Sequence, residues 1–146
     1  MPIARRLSDI MGTILLVDDE PHVRSVVREI LELSDYTVLE AGDAEEACQV
    51  ESAHREPIDL LLTDIIMPGL TGPELARQLG PRRPKMKILY MSAFTVVDLA
   101  NQRIELDPGV PFVAKPFSVD ALTNKVRALL APSPFARPPR PVPARS

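Results

Sequence analysis

Cysteine is nearly absent: Cys48 stands alone among 146 residues. One thiol excludes an internal disulfide and fits a reducing cytosol. On a helical segment it reads as a small buried hydrophobe. Long apolar runs are missing too, since none approaches the roughly 20 residues that a bilayer-spanning helix needs. Arg5 and Arg6 have no apolar segment behind them, so no secretory signal is expected. A strong excess of either charge is also lacking. The net value is −3, which sets up no field toward nucleic acid or an anionic membrane. The expectation is a cytoplasmic protein with neither of those partners.

What is present suffices for one domain with a real core: 45% of residues are hydrophobic and 25% charged. The compositional oddity is proline, 16 in all. Six of them crowd the stretch "PSPFARPPRPVPARS" after Ala131. Proline removes backbone donors, so this stretch is expected to be disordered or polyproline-like. "RPPRP" resembles a proline-ligand motif, against the plainer reading of a solvated terminus. The chain divides into an amino-terminal extension at 1–11, a domain at 12–131 and a Pro/Arg-rich tail at 132–146.

Within the domain, short β-branched runs ("TILLV", "TVLEA", "IDLLLT", "KILYMS", "PFVAK") alternate with segments of helical period. Near-continuous apolar strands indicate a parallel sheet covered on both faces. Five alternations give an open α/β domain. Pro21 suits the start of the first helix, with Val23, Val26, Val27, Ile30 and Leu31 as its stripe. Asp43 with Glu46, and Thr71 with Glu74, are capping-box-like starts for the next two. A fourth helix falls around Thr95 to Arg103. Ser118 caps the fifth, whose stripe is Val119, Leu122, Val126, Leu129 and Leu130. "DPGVP" at 107–111 is a turn cluster before the last strand.

In such a sheet the ligand site lies at the carboxyl ends of the strands. Those ends read Asp18-Asp19-Glu20, Thr63-Asp64, Ser92-Ala93 and Lys115-Pro116. Three carboxylates brought together repel, each pair at 4 Å by about 4 kcal/mol at an effective dielectric near 20. A hard divalent cation relieves that conflict, and carboxylates with water suit Mg²⁺. Asp64 keeps an oxygen with which to attack phosphorus, as carboxylates do in forming acyl phosphates. Lys115 and Ser92 stand where they can hold phosphoryl oxygens.

"ILLVDDE", "LLTDIIMPGLTGPELA", "ILYMSA" and "FVAKPF", in this order, resemble the receiver domain of two-component response regulators. The resemblance implies a flavodoxin-like fold of five parallel strands, ordered 2-1-3-4-5. It implies a phosphoryl group taken from a histidine kinase or histidine phosphotransfer protein. By position, Asp64 matches the phosphoacceptor. Asp18 and Asp19 match the acidic pair that binds Mg²⁺ (or Mn²⁺) with Asp64 and the backbone carbonyl of Ile66. Ser92 matches the switch hydroxyl, Phe112 the switch aromatic and Lys115 the family's lysine, whose bond to Pro116 is usually cis. Ile66 and Phe94 fall at the two positions that tune loss of the phosphoryl group. Both are apolar and cannot align water, so slow hydrolysis is expected.

"MPGLTGPELA" and "LDPGVPFVAKPF" are closest in flavour to receivers of hybrid histidine kinases or single-domain regulators. The acidic pair that receivers of DNA-binding regulators carry before the strand-five aromatic is here Gly109-Val110-Pro111. The expectation is therefore a monomer or weak phosphorylation-dependent dimer, stand-alone or excised, without a DNA-binding output and with an unknown downstream partner. A small Mg²⁺ phosphatase is the enzymatic rival. Such enzymes usually place a second aspartate two residues after the nucleophile, where Ile66 stands, so an enzyme is not expected. A pseudo-receiver that only binds Mg²⁺ is the other alternative, against the retention of every motif residue. Alone, Asp18 and Asp19 read equally as turn residues at a helix start, Asp64 as a turn-former, Ser92 as a strand-end hydroxyl and Phe112 as core. His22 and His54 have no partners at metal spacing and read as surface residues.

Overall fold

A computed structural model describes residues 11–104, 106 and 109–131. Residues 1–10 of the expected amino-terminal extension, the expected Pro/Arg-rich tail and the first two residues of "DPGVP" lie outside them. Among the described residues, five strands alternate with five helices: β1 Thr13–Val17, α1 Pro21–Leu33, β2 Thr37–Ala41, α2 Ala44–Ala53, β3 Leu60–Asp64, α3 Gly72–Leu79, β4 Lys87–Ser92, α4 Val96–Asn101, β5 Phe112–Ala114 and α5 Val119–Leu130. All pair in parallel in the order β2-β1-β3-β4-β5. This is the doubly wound arrangement expected from the sequence.

The central strands are largely apolar because each serves two cores. Ile14 and Leu16 of β1, Leu60 and Leu62 of β3, and Leu89 and Met91 of β4 face Val27 and Leu31 of α1 and Leu122 and Val126 of α5. The alternate residues Leu15, Val17, Leu61 and Tyr90 pack with Ala44 and Ala47 of α2, Leu75 and Leu79 of α3, and Leu99 of α4. Period-two alternation thus separates two layers, neither of which reaches solvent.

The helix starts are locally encoded. Thr71 and Glu74 form a reciprocal capping box, the Glu74 carboxylate accepting from the Thr71 N–H at 2.9 Å. Thr95 and Asp98 form a second box, so α4 begins at Val96, and it ends at Asn101, short of the expected Arg103. Asp43 accepts from the Glu46 N–H, but Glu46 reaches back to the Gly42 N–H and not to the cap residue. Two stripe residues depart from expectation. Val26 is 54% exposed and Val119 56%, because the stripes are wider than the faces that α1 and α5 bury. Cys48 is only half-buried, its Sγ 3.6 Å from Gln78 Oε1. His54 is half-buried as well, while His22 is exposed.

Candidate functional site

Because every strand runs the same way, the ends of β1, β3, β4 and β5 form one rim. Asp18 immediately follows β1 and is completely buried, Asp19 beside it is exposed, and Asp64 closes β3 half-buried. One carboxylate oxygen from each of these three lies within 4.8 Å of the others. Lys115, just past β5, bridges two of them: Nζ is 2.8 Å from Asp18 Oδ2 and 3.1 Å from Asp64 Oδ2. The bond from Lys115 to Pro116 is cis.

Each carboxylate is held differently. Asp18 Oδ1 accepts from the Glu20 N–H at 2.9 Å, so both its side-chain oxygens are satisfied. Asp64 Oδ1 accepts from the Ile65 N–H at 2.9 Å. Asp19 has no side-chain partner among the described residues. Burial pushes the Asp64 carboxyl above the ordinary range. The charge and hydrogen bond of Lys115 pull it back without cancelling the rise, to which the Asp18 charge adds. Burial pulls the Lys115 ammonium down, yet the Asp18 hydrogen bond and the two carboxylate charges outweigh it. Its pKa stands above that of ordinary lysine. Lys115 is therefore a held cation, and Asp64 is a carboxylate kept where ionisation is disfavoured.

The remaining expected residues divide into two groups. Ser92 ends β4, fully buried, and its Oγ accepts from the Phe94 N–H at 2.9 Å. Phe94 is 41% exposed beside the rim, next to exposed Ala93. Ile66 and Phe112 do not join the carboxylates through their side chains. Both are half-buried and pack against the core under α2, α3 and α4. Phe112 pairs with Tyr90, at the far end of β5 from Lys115.

Two contributors were not evident in the sequence. A Cβ at Gly72 would stand 2.5 Å from the Asp64 carbonyl oxygen, so only glycine lets α3 begin this close to β3. Arg24 on α1 donates to the Asp18 carbonyl at 2.7 Å. Glycine directly before the α3 proline was a usable signal for the first; nothing local announces the second.

Three hard oxygen donors beside one ammonium suit a divalent cation such as Mg²⁺ better than a soft metal. The fold is that of receiver domains, a class of phosphoacceptors. The "Response regulator receiver domain" family matches residues 14–127, and the chain belongs to that family. It is similar to the sensor kinase CckA of Brucella abortus, 32% identical over 127 residues, 86% of this chain and 13% of that protein. It is also similar to the response regulator receiver protein CpdR of Brucella abortus, 33% identical over 120 residues, 82% of this chain and 98% of that one. The chain thus spans a small part of the first relative and nearly all of the second. Among solved structures, the response regulator TrrA of Thermotoga maritima in complex with Mg²⁺-BeF superposes with a TM-score of 0.67. It is 33% identical, covering 82% of this chain and all of that one. The class is two-component phosphorelay signalling, whose receivers interact with histidine kinases or phosphotransfer proteins. Among the described residues, no helix is long and apolar enough to cross a membrane.

Proposed function

We propose that residues 12–131 act as a cytoplasmic receiver in which Asp64 accepts a phosphoryl group from a histidine kinase or histidine phosphotransfer protein. The observation that carries this reading is the Lys115 ammonium bridging buried Asp18 and Asp64, with Asp19 alongside. A carboxylate oxygen of Asp64 attacks phosphorus, the bond to the donor imidazole nitrogen breaks, and that nitrogen leaves with the electron pair. The product is an acyl phosphate on Asp64.

Asp18, Asp19, Asp64 and the Ile66 carbonyl are the residues that would hold Mg²⁺. A bound Mg²⁺ supplies charge neutralisation for the phosphoryl oxygens. Lys115, already on Asp64 Oδ2, offers the same oxygens an ammonium. Ser92 carries a hydroxyl proton that its bond from the Phe94 N–H does not use, and donates it to a phosphoryl oxygen. Phe112 follows as the switch aromatic, and the surface of α4, β5 and α5 shifts between two populations. That surface meets the downstream partner, with the chain a monomer or a weak phosphorylation-dependent dimer.

Neither Ile66, packed into the core, nor Phe94 offers a polar group to align water, so the acyl phosphate is slow to hydrolyse. The protein is a self-modifying switch and not a turnover enzyme. The test is intact mass after incubation with acetyl phosphate and Mg²⁺, with Asp64→Asn alongside. One phosphoryl group is gained by the wild type only, requires Mg²⁺, and decays over minutes or longer. Uptake by Asp64→Asn, or none by the wild type from any of several donors, overturns the reading.

A further inference from the structure

Every oxygen of Asp18 is held. Glu20 N–H takes Oδ1, Lys115 takes Oδ2, and Arg24 Nη1 takes the carbonyl at 2.7 Å. The Asp18 N–H donates to the Ala41 carbonyl at 3.2 Å, tying the turn to β2. Asp19 has none of this support. Its exposed carboxylate is aimed by the peptide plane that joins it to Asp18, and the carbonyl of that plane is the one Arg24 grips.

Arg24 is itself fixed. Its Nε lies 3.3 Å from Glu40 Oε1 on β2, and the second Glu40 oxygen accepts from Arg28 Nη1 at 2.9 Å. Gly42 leaves the room the guanidinium occupies, since a Cβ there would come within 3.2 Å of Nη1. The guanidinium thus spans a strand carboxylate and a turn carbonyl through two separate nitrogens of one rigid plane, Nε and Nη1, where a lysine offers a single nitrogen.

We propose that Arg24 is a positioning residue for cation binding: by holding the Asp18–Asp19 peptide plane, it keeps the Asp19 carboxylate within the three-carboxylate cluster. The proposal rests on the reading that this cluster binds a divalent cation. It makes a prediction of sign. As a bare charge, Arg24 repels a cation, so removing it tightens binding. As a positioning group, its removal weakens binding.

The test is direct titration of the full chain with Mg²⁺ by calorimetry, and with Mn²⁺ by electron paramagnetic resonance, without phosphodonor. Arg24→Met and Arg24→Lys are each expected to raise the Kd about tenfold, the scale on which groups supporting metal ligands act. Arg28→Met breaks the other half of the Glu40 pair without touching Asp18. It is expected to lower the urea midpoint while leaving the Kd unchanged. Arg24→Lys keeps the charge and the stem and decides the matter if Arg24→Met does not fold. Unchanged or tighter binding in the Arg24 variants overturns the proposal, as does equal weakening by Arg28→Met. Failure of the wild type to bind either ion removes the reading beneath it, and that outcome is visible in the wild type alone.

Discussion

The two ends of this sheet use charge in opposite ways. At the amino end, charged groups meet the backbone or one another in compensating sets. Asp59 Oδ2 accepts from the Thr13 N–H at 2.7 Å, and Lys87 Nζ donates to the Leu129 carbonyl at 2.7 Å. Arg83 closes the end of α2, donating to buried Glu51 Oε2 at 2.9 Å and to the carbonyls of Glu51, His54 and Glu56. At the carboxyl end, Asp18, Asp19 and Asp64 crowd together, and one lysine bridges only Asp18 and Asp64. The first end is built for stability, whereas the second carries a like-charge conflict that favours a cationic ligand.

The sharpest break in that comparison is Arg83→Met. It leaves Glu51 with Arg82, whose Nε is 2.9 Å from Glu51 Oε1 but not aligned for a hydrogen bond. Urea unfolding is expected to show a loss of about 3 kcal/mol, the scale for breaking a buried pair. Mg²⁺ affinity, read in parallel, stays the same. A weakened Mg²⁺ site in this variant would show that the two ends are not independent.

Asp64→Asn is expected to do the reverse at the other end. The folded state holds the Asp64 proton more tightly than the unfolded chain does. Metal-free wild type therefore loses stability as pH rises from the ordinary carboxylate pKa through the raised one. Asp64→Asn removes that loss and is at least as stable as wild type at neutral pH without metal. With Mg²⁺ at a hundred times its Kd, the wild type alone gains about 2.7 kcal/mol, reversing the order. Chemical denaturation with and without Mg²⁺ checks both halves. A metal-free variant clearly weaker than wild type would refute the conflict described here.

Glu74 gives the smallest effect and sharpens the contrast. It lies near the carboxyl end but accepts backbone and side-chain hydrogen bonds from Thr71, which hold its carboxyl below the ordinary glutamate value. Its contribution to stability is present above the unfolded pKa and is lost as pH falls through the lower folded one. A carbon-detected carboxyl titration should place Glu74 below the ordinary glutamate value. Thr71→Ala should move it back up.

Much of the rim was legible because strand direction is legible. Three of the five apolar runs, "TILLV", "TVLEA" and "KILYMS", coincide with β1, β2 and β4. Once all strands are parallel, Asp18, Asp64, Ser92 and Lys115 must share an edge. The caps at Thr71 and Ser118 were legible for the same reason, being local. Less visible was anything that joins distant segments through side chains. Arg83 reaching Glu51, or Arg24 reaching Glu40, leaves no period in the sequence. Val26 and Val119 were overread because an apolar stripe reports which residues can be buried, not how wide a face the neighbouring helix covers.

The loop between β3 and α3 has one more consequence. Its neck is pinned where the Gly72 N–H donates to the Ile65 carbonyl at 2.7 Å, directly behind Asp64. Its tip at Gly69 has a positive φ and open space where a Cβ would sit. The loop is thus a hoop with a fixed clasp and an open crown. Room alone does not make the crown a place for substitution, because any other residue at Gly69 meets the strain of a positive φ, so the hoop accepts an inserted reporter only where a glycine is kept at its tip.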